Sequence, residues 1–253
     1  MNPLVIAIDS STTATKAIVV DTEGKVLALG RQDIDLLSPE QGFGEHDPRQ
    51  WWTSTRDAVA QALAQLTPAE KERIAAFGIT HQRESFAPFA ADGTPLRNGI
   101  LWLDIRAADQ VQRYGAPEIH ALSGRPADVT PGLYKMAWLK ENEPESLAKA
   151  DKVTTVSAYI AFCLTGKWVD SAACADSLSL SNIKTLEYDD GLLEIAGVRR
   201  EQMADLVKPG QVLGTLEKSI AEEWGIAEIP IVAGCGDGQA AGVGAAAVTP
   251  DVA

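Results

Sequence analysis

The sequence predicts an α/β domain that opens with an antiparallel meander. Two observations lead there. Residues 4–29 hold three short apolar runs joined by tight polar links. Beyond them, runs of strand length alternate with helical periodicities, and several strand-length runs end in polar turns. The 253 residues are 45% hydrophobic and 23% charged, an ordinary globular composition that argues against disorder and allows a real core.

The elements follow in order. Leu4–Ile8 is an apolar run that ends in the polar turn Asp9–Thr13, and Thr15–Val20 is a second strand. Asp21–Lys25 is a hairpin turn in which Gly24 is available for positive φ, and Val26–Leu29 begins a third strand. Asp47 as N-cap and Pro48 in the first turn open a helix. Its Trp51, Ala58, Ala62 and Leu66 recur at helical spacing until Thr67-Pro68. Ile74–Ile79 is a strand that ends in Thr80-His81-Gln82-Arg83-Glu84. Phe86–Ala90 is another, closed by Asp92-Gly93. Ile100–Trp102 is a short apolar run, and a helix follows Asp104 to about Tyr114. Further helices fall near Leu133–Asn142 and Val156–Leu164, with Pro144 and Gly166 as stops. Ile229–Ala233 is a strand that runs into Gly234-Cys235-Gly236-Asp237-Gly238. The small-residue stretch Gln239–Val248 then suits a closely packed helix.

Charge and cysteine usage narrow the function. With 35 acidic and 22 basic residues the net charge is −13, which argues against nucleic acid as the main partner. A small anionic ligand is still accessible, because backbone amides and a metal hold phosphate locally. No apolar run approaches the roughly 20 residues of a membrane span. Met1-Asn2-Pro3 lacks the basic region of a signal peptide, and Cys163, Cys174 and Cys235 make an odd count without CxxC spacing. The expectation is a cytoplasmic protein with reduced thiols. His46, His81 and His120 are scattered and give no support to a histidine metal site.

Four stretches carry candidate chemistry, and each has a plainer reading. Asp9 ends a strand before a hydroxyl-rich turn. Such a carboxylate can hold a hydrated Mg²⁺ while turn amides and hydroxyls take phosphate oxygens, with Lys16 adding charge; alternatively Asp9 is a turn former. Asp237 in its glycine turn can accept a hydroxyl proton, or it caps the following helix. Arg83 and Glu84 offer a planar donor fork and acceptors to a polyhydroxylated ligand, or they form a surface ion pair worth about 0–1 kcal/mol. Trp102 can lie on the C–H face of a sugar, although a core position is the commoner fate of tryptophan. Asp104 and Arg106 form a charge pair that fixes the loop after it, and the other five tryptophans read as core or partly buried helix residues.

These stretches, in this order, resemble the FGGY carbohydrate kinase family. Ile6–Ala17 looks like its first phosphate motif, with Ser11 where the family usually has Gly. Gly78–Ser85 resembles the glycerol kinase version of the substrate segment, and Ile100–Arg106 the Trp-x-Asp-x-Arg segment. Gly132–Lys135 is similar to the stretch that places a substrate-contacting tyrosine, and Val232–Gly242 to the segment with the catalytic base. Gly238 stands where glycerol kinases usually have Gln.

The resemblance implies a ribonuclease-H-like, actin-type domain with a mixed sheet, an antiparallel hairpin edge and flanking helices. It implies ATP-dependent phosphorylation of a sugar or polyol hydroxyl, with ATP and Mg²⁺ as cofactors. Asp237 would be the catalytic base, and Arg83, Glu84, Trp102, Tyr134 and Asp237 would bind the substrate. Asp9, Ser11, Thr12, Thr13 and Lys16 would face the nucleotide phosphates, with Asp9 on the metal. Residues 1–246 would be the family's N-terminal domain and 247–253 the start of a linker to a missing C-terminal ATP-binding domain. Self-association into a homo-oligomer is left open. Two other readings are carried: an actin-like ATPase or non-catalytic sugar-binding module, and a structural α/β domain whose motifs are only turns and caps.

Overall fold

The computed structural model describes residues 2–247 and 249, so most of the segment expected to begin a linker, 247–253, lies outside the described residues. The predicted meander is present as β1 (Leu4–Ser10), β2 (Ala14–Asp21) and β3 (Val26–Asp33). There follow β4 (Glu45–His46), α1 (Arg49–Leu63), α2 (Pro68–Lys71), β5 (Ile74–His81), β6 (Phe86–Phe89) and β7 (Gly99–Ile100). The middle of the chain adds α3 (Ala108–Tyr114), α4 (Pro117–Ser123), α5 (Gly132–Asn142), α6 (Pro144–Ala148), β8 (Lys152–Thr155) and α7 (Val156–Thr165). Next come β9 (Val169–Ser171), α8 (Ala172–Ala175), a 3-10 turn at Asp176–Leu178, β10 (Ser181–Asn182), β11 (Glu187–Tyr188) and α9 (Asp190–Ala196). The chain closes with β12 (Asp205–Val207), β13 (Val212–Thr215), α10 (Lys218–Trp224), β14 (Pro230–Val232) and α11 (Asp237–Gly244).

The main sheet has six strands in the order β13-β14-β5-β1-β2-β3. β1 pairs antiparallel with β2 and parallel with β5, and β14 is parallel to β5, so the sheet is mixed with an antiparallel edge. Leu4, Ile6 and Ile8 alternate with half-buried Val5, Ala7 and Asp9, the period-2 pattern of a strand. The buried row continues to Ser10, whose hydroxyl accepts from Thr15, which in turn bonds Ser54 of α1 at 2.7 Å. That row therefore faces α1, and Asp9 lies on the opposite face. α1 comes close to β3 because Gly30 has no side chain: a Cβ there would collide with the Ala58 carbonyl. One apolar cluster surrounds this sheet, with Trp51, Phe77, Ile160 and Trp224 among its members. A second forms where the small sheet β4-β7-β6-β8 meets α5 and α9, around Phe86, Ile100, Leu133, Tyr134 and Leu178.

Two local expectations are corrected. Asp47 is not the N-cap of α1; Pro48 holds that position, and Asp47 Oδ1 accepts from the Arg49 N–H at 3.0 Å. Pro144 follows the end of α5 as the expected stop, and it also begins the next helix. α5 ends at Asn142, Glu143 leaves helical geometry, and Pro144 opens α6, where a missing N–H costs nothing. α11 has no buried residue, so the small-residue helix is not closely packed among the described residues. Its alanines and glycines permit close packing but supply little apolar area to drive it.

Two buried histidines generate a testable consequence. His46 Nδ1 accepts from Trp51 Nε1 at 3.0 Å, while His46 Nε2 and both His81 nitrogens are buried without partners. Burial lowers both imidazoles from 6.5 to about 4. Below pH 6.5 the unfolded chain takes up protons that these rings refuse. Each ring thus contributes on the order of 3 kcal/mol above that pH, lost as the pH falls from 6.5 to about 4. Asp170, pushed up to about 7 by burial, acts with the opposite sign between 3.8 and 7, so the check must be made residue by residue. NMR titration should give midpoints near 4 for both rings; midpoints near 6.5 would show that water reaches them.

Candidate active site

The sheet delivers distant residues to one edge. β1 and β5 run parallel with Asp9 opposite Thr80 and Ser10 opposite His81, and β14 runs parallel with Val232 opposite Gly78. All three strands therefore leave the sheet on the same side, the usual place for a ligand crevice in parallel α/β sheets. Hydrogen bonds tie their ends together: Thr80 Oγ1 donates to the Cys235 carbonyl at 2.8 Å, and the Gln82 N–H to the Ser10 carbonyl at 2.9 Å. Gly236 lies against the aliphatic part of Arg83, and a Cβ there would overlap Cγ and Cδ. Asp9, Arg83 and the Asp237 turn thus share one site.

The two carboxylates sense each other. Burial pushes the Asp9 carboxyl up, the charge of Asp237 pushes it further, and Lys16, its register partner on β2, pulls it down. Asp9 Oδ1 is buried with no hydrogen-bond partner. Such an oxygen, facing a second negative charge, suits a cation. Among the described residues no group of three or more His, Cys, Asp or Glu side chains forms a metal cluster. The unpartnered Asp9 oxygen beside a second carboxylate would suit Mg²⁺, which binds through one or two carboxylates and keeps water or phosphate oxygens. Asp237 is the first residue of α11 and is exposed; its Oδ1 accepts from the Gly238 N–H, and it makes no capping bond.

The hydroxyl turn is organised rather than loose. The Ser11 N–H and hydroxyl both donate to the Ala14 carbonyl, so this hydroxyl is spent on closing the turn. Thr12 Oγ1 accepts from Trp102 Nε1 at 2.9 Å, which joins the phosphate turn to the acceptor segment. Thr13 and Lys16 are exposed. Trp102 is 41% exposed, so the core reading of this residue fails, and its indole N–H is directed at the Thr12 hydroxyl.

Arg83 and Glu84 do not pair with each other. Arg83 Nη2 donates to Asp176 Oδ1 at 2.7 Å, and Glu84 pairs with Arg125 at 2.6 Å. Glu84 is held at φ +60°, a left-handed conformation costing about 1–3 kcal/mol for a residue with a side chain. Its N–H donates to Ser177 Oγ at 3.1 Å. Burial raises its carboxyl, and Arg125 and then Arg83 oppose the rise. Tyr134 lies largely within the second apolar cluster, and burial raises its phenol. Asp104 and Arg106 form the expected pair at 2.7 Å, extended by Glu45, with the guanidinium 3.9 Å above the Phe43 ring centre. Beyond Arg83 lies a cleft of about 420 Å³ that reaches Arg125, Asp176, Ser181 and Asn182.

A profile of the FGGY family of carbohydrate kinases, N-terminal domain, matches residues 4–244. The chain belongs to the FGGY family of carbohydrate kinases. It is 34% identical over 254 residues to the glycerol kinase of Thermococcus onnurineus, covering 98% of this chain and 50% of that protein. Two solved structures from Lactobacillus acidophilus share its mixed α/β fold. A ligand-bound xylulose kinase superposes with a TM-score of 0.90 at 29% identity, covering 97% of this chain and 50% of the other. A gluconate kinase superposes with 0.88 at 29% identity, covering 94% and 49%. The chain spans about half the length of the curated relatives it matches.

Four residues of this FGGY domain's site were not anticipated from the sequence: Gln82, Arg125, Lys135 and Asp176. Gln82 Nε2 donates to the Ser11 carbonyl at 3.3 Å, and its Oε1 accepts from Ser85 at 3.0 Å. Its place inside the Thr80–Glu84 group was the available signal. Arg125 and Asp176 carried none, since their partners lie far along the chain. Lys135 is fully buried and donates to the carbonyls of Leu101, Trp102 and Thr130 at 2.6–3.0 Å. Burial lowers it to about 7, against the pull of Asp104 and Glu84. Replacing Lys135 with Met leaves three carbonyls short of a donor, each costing about 1–3 kcal/mol. Lys135→Met should therefore lower stability in urea denaturation by roughly 3 kcal/mol or more; an unchanged midpoint would show that the ammonium does not hold this loop.

Proposed function

We propose that this domain binds a sugar or polyol and takes part in ATP-dependent phosphorylation of one of its hydroxyls. The observation that carries the reading is the gathering of Asp9, Arg83 and Asp237 at one edge of the sheet. Family membership supports it. A bound nucleotide would supply the phosphoryl group, and bound Mg²⁺ would neutralise the phosphate charge.

The chain's own residues do the following. Arg83 and Glu84 hold acceptor hydroxyls as donor and acceptor, Trp102 lies along the C–H face, and Tyr134 backs them from the second cluster. Asp237 accepts the proton of the attacking hydroxyl. One of its oxygens is held by the Gly238 N–H, which leaves the other for the incoming proton. Asp9 would hold Mg²⁺, and the Thr12-Thr13 turn and Lys16 would lie against the phosphates, with Ser11 shaping the turn. Positioning and charge neutralisation then account for most of the rate.

Residues 1–246 would form the acceptor-side lobe of a ribonuclease-H-like pair, and a second lobe, as in relatives of twice the length, would complete the adenosine pocket. Cys163, Cys174 and Cys235 are free thiols, which supports a reducing, cytoplasmic setting. No helix of the described residues is long and apolar enough to cross a membrane.

Two measurements test the reading. In a coupled ADP-release assay against a panel of polyols and ketoses, Asp237→Asn should cut turnover by roughly 10²–10⁴-fold and leave acceptor binding nearly intact. Near-normal turnover of that variant would remove the base. In calorimetry with the chain, Arg83→Ala should weaken acceptor binding at least tenfold. ADP release without a phosphorylated acceptor would favour the ATPase instead.

A further inference from the structure

We propose that the acceptor is a neutral sugar or polyol of five or more carbons, whose far end enters the cleft beyond Arg83. The inference rests on the acceptor reading above and adds the size and charge class of the ligand.

Size comes first. The cleft holds about 420 Å³. Even at the roughly 30 Å³ that a water molecule occupies in the liquid, glycerol's six non-hydrogen atoms need only about 180 Å³. The ten of a pentulose need about 300 Å³ on the same generous count. Arg83 connects the cleft to the reaction centre: its aliphatic part lies on Gly236, next to Asp237, and its guanidinium reaches Asp176 in the cleft wall. Gly238 adds open space beside Asp237, since a Cβ there would meet nothing within 4 Å.

Charge comes second. The cleft and its mouth hold two cations, and each is already neutralised: Arg83 by Asp176 and Arg125 by Glu84. A carboxylate on the acceptor would have to displace one of these partners and leave a half-buried acid unpaired. A neutral polyol has no such conflict, because its hydroxyls bond to paired groups without altering the net charge.

Polar placement comes third. Two buried polar atoms of the cleft-lining residues have no partner, Arg83 Nε and Ser181 Oγ. Ser181 is 8% exposed, so water does not satisfy it freely. Arg83 Nε stays covered, but Ser181 also lines the cleft, and its hydroxyl gains a partner only from a ligand long enough to reach it and move its cover. Between them Ala172, Ala173 and Pro209 present an apolar wall suited to C–H groups. Another lining residue, Ile183, is held by the fold: its N–H donates to the Leu122 carbonyl at 2.9 Å, and its side chain packs where a Cβ on Gly124 would sit.

The test is a calorimetric titration of the chain with glycerol, ribulose, xylulose, ribitol and gluconate. At least one neutral five-carbon ligand should bind at least tenfold more tightly than glycerol, and gluconate no more tightly than ribitol. Ala173→Leu fills the cleft and should lower the ratio of five-carbon to glycerol affinity at least tenfold. Ser181→Ala removes a hydroxyl that has no partner in the fold. It should lower the same ratio several-fold while leaving the denaturation midpoint in place. A ratio unmoved by both variants, or gluconate binding more tightly than ribitol, overturns the inference. If Arg83→Ala still removes acceptor binding in that case, the phosphorylation reading survives without it. If no acceptor binds at millimolar concentration, the acceptor reading falls and this inference with it.

Discussion

The parallel alignment of β1, β5 and β14 is the constraint on which the site depends. Register in a strand is set by which side chains reach the core. In β1 the buried row is Leu4, Ile6 and Ile8, and a slip of one residue would put Asp9 into that row and Ile8 into the crevice. Burying each of these aliphatic side chains contributes about 1.5–3 kcal/mol, so the three together outweigh the roughly 1–3 kcal/mol cost of an unpartnered oxygen on Asp9. The core thus holds a carboxylate where local hydrogen bonding alone would not keep it. The same holds at the other end of the chain, where buried Ile231 pairs with Phe77 and carries the glycine turn to the edge at which β5 ends.

Charge is arranged within the site with equal economy. The chain carries a net charge of −13, yet its two cleft arginines each meet one acid and its two central carboxylates meet each other. Paired groups are pre-oriented, because each guanidinium is held by a carboxylate before any ligand arrives. The unpaired ones, Asp9 and Asp237, mark where positive charge is wanted. Glu84 shows how such orientation is enforced in the backbone. It sits at positive φ between the β5 end and β6, and the Ser177 hydroxyl and Arg125 keep it there. Strain in a residue that faces the site is consistent with a conformation selected for binding rather than for folding.

Much of this was legible in the sequence, and the limits have physical causes. The meander, α1, β5, α5, α7 and β14 announce themselves through periodicity, and the polar groups after Ile8, Ile79 and Ala233 mark strand ends. Pro144 marks the end of α5 as its position implies, and only the backbone of Glu143 shows that it also begins α6. Trp102 was ambiguous because burial tendency is an average over environments, and here the indole N–H bond to Thr12 holds a partly exposed ring in place. Arg125, Lys135 and Asp176 act through pairs made by the tertiary fold, so no local pattern identifies them. The strands of two or three residues, such as β4 and β10, are too short for any alternation to show.

The exposed flank of the site bears on how it can work. Phosphoryl transfer competes with water, and sites that perform it exclude solvent by closing. Here Asp237 is exposed and α11 behind it buries no side chain among the described residues, so this shoulder of the domain is open. An open shoulder also explains the composition of α11. Its glycines and alanines give little stability to a helix that packs on nothing, but they let another backbone approach closely. The acceptor side shows the opposite character: Gln82, Asp104 and Lys135 are buried, Glu84 is half-buried, and each is hydrogen-bonded or ion-paired within the fold. The domain therefore divides into a half whose polar groups are bonded within the fold and an exposed half at α11. On the proposed reading, phosphoryl transfer would require a surface that covers α11 and excludes water from Asp237.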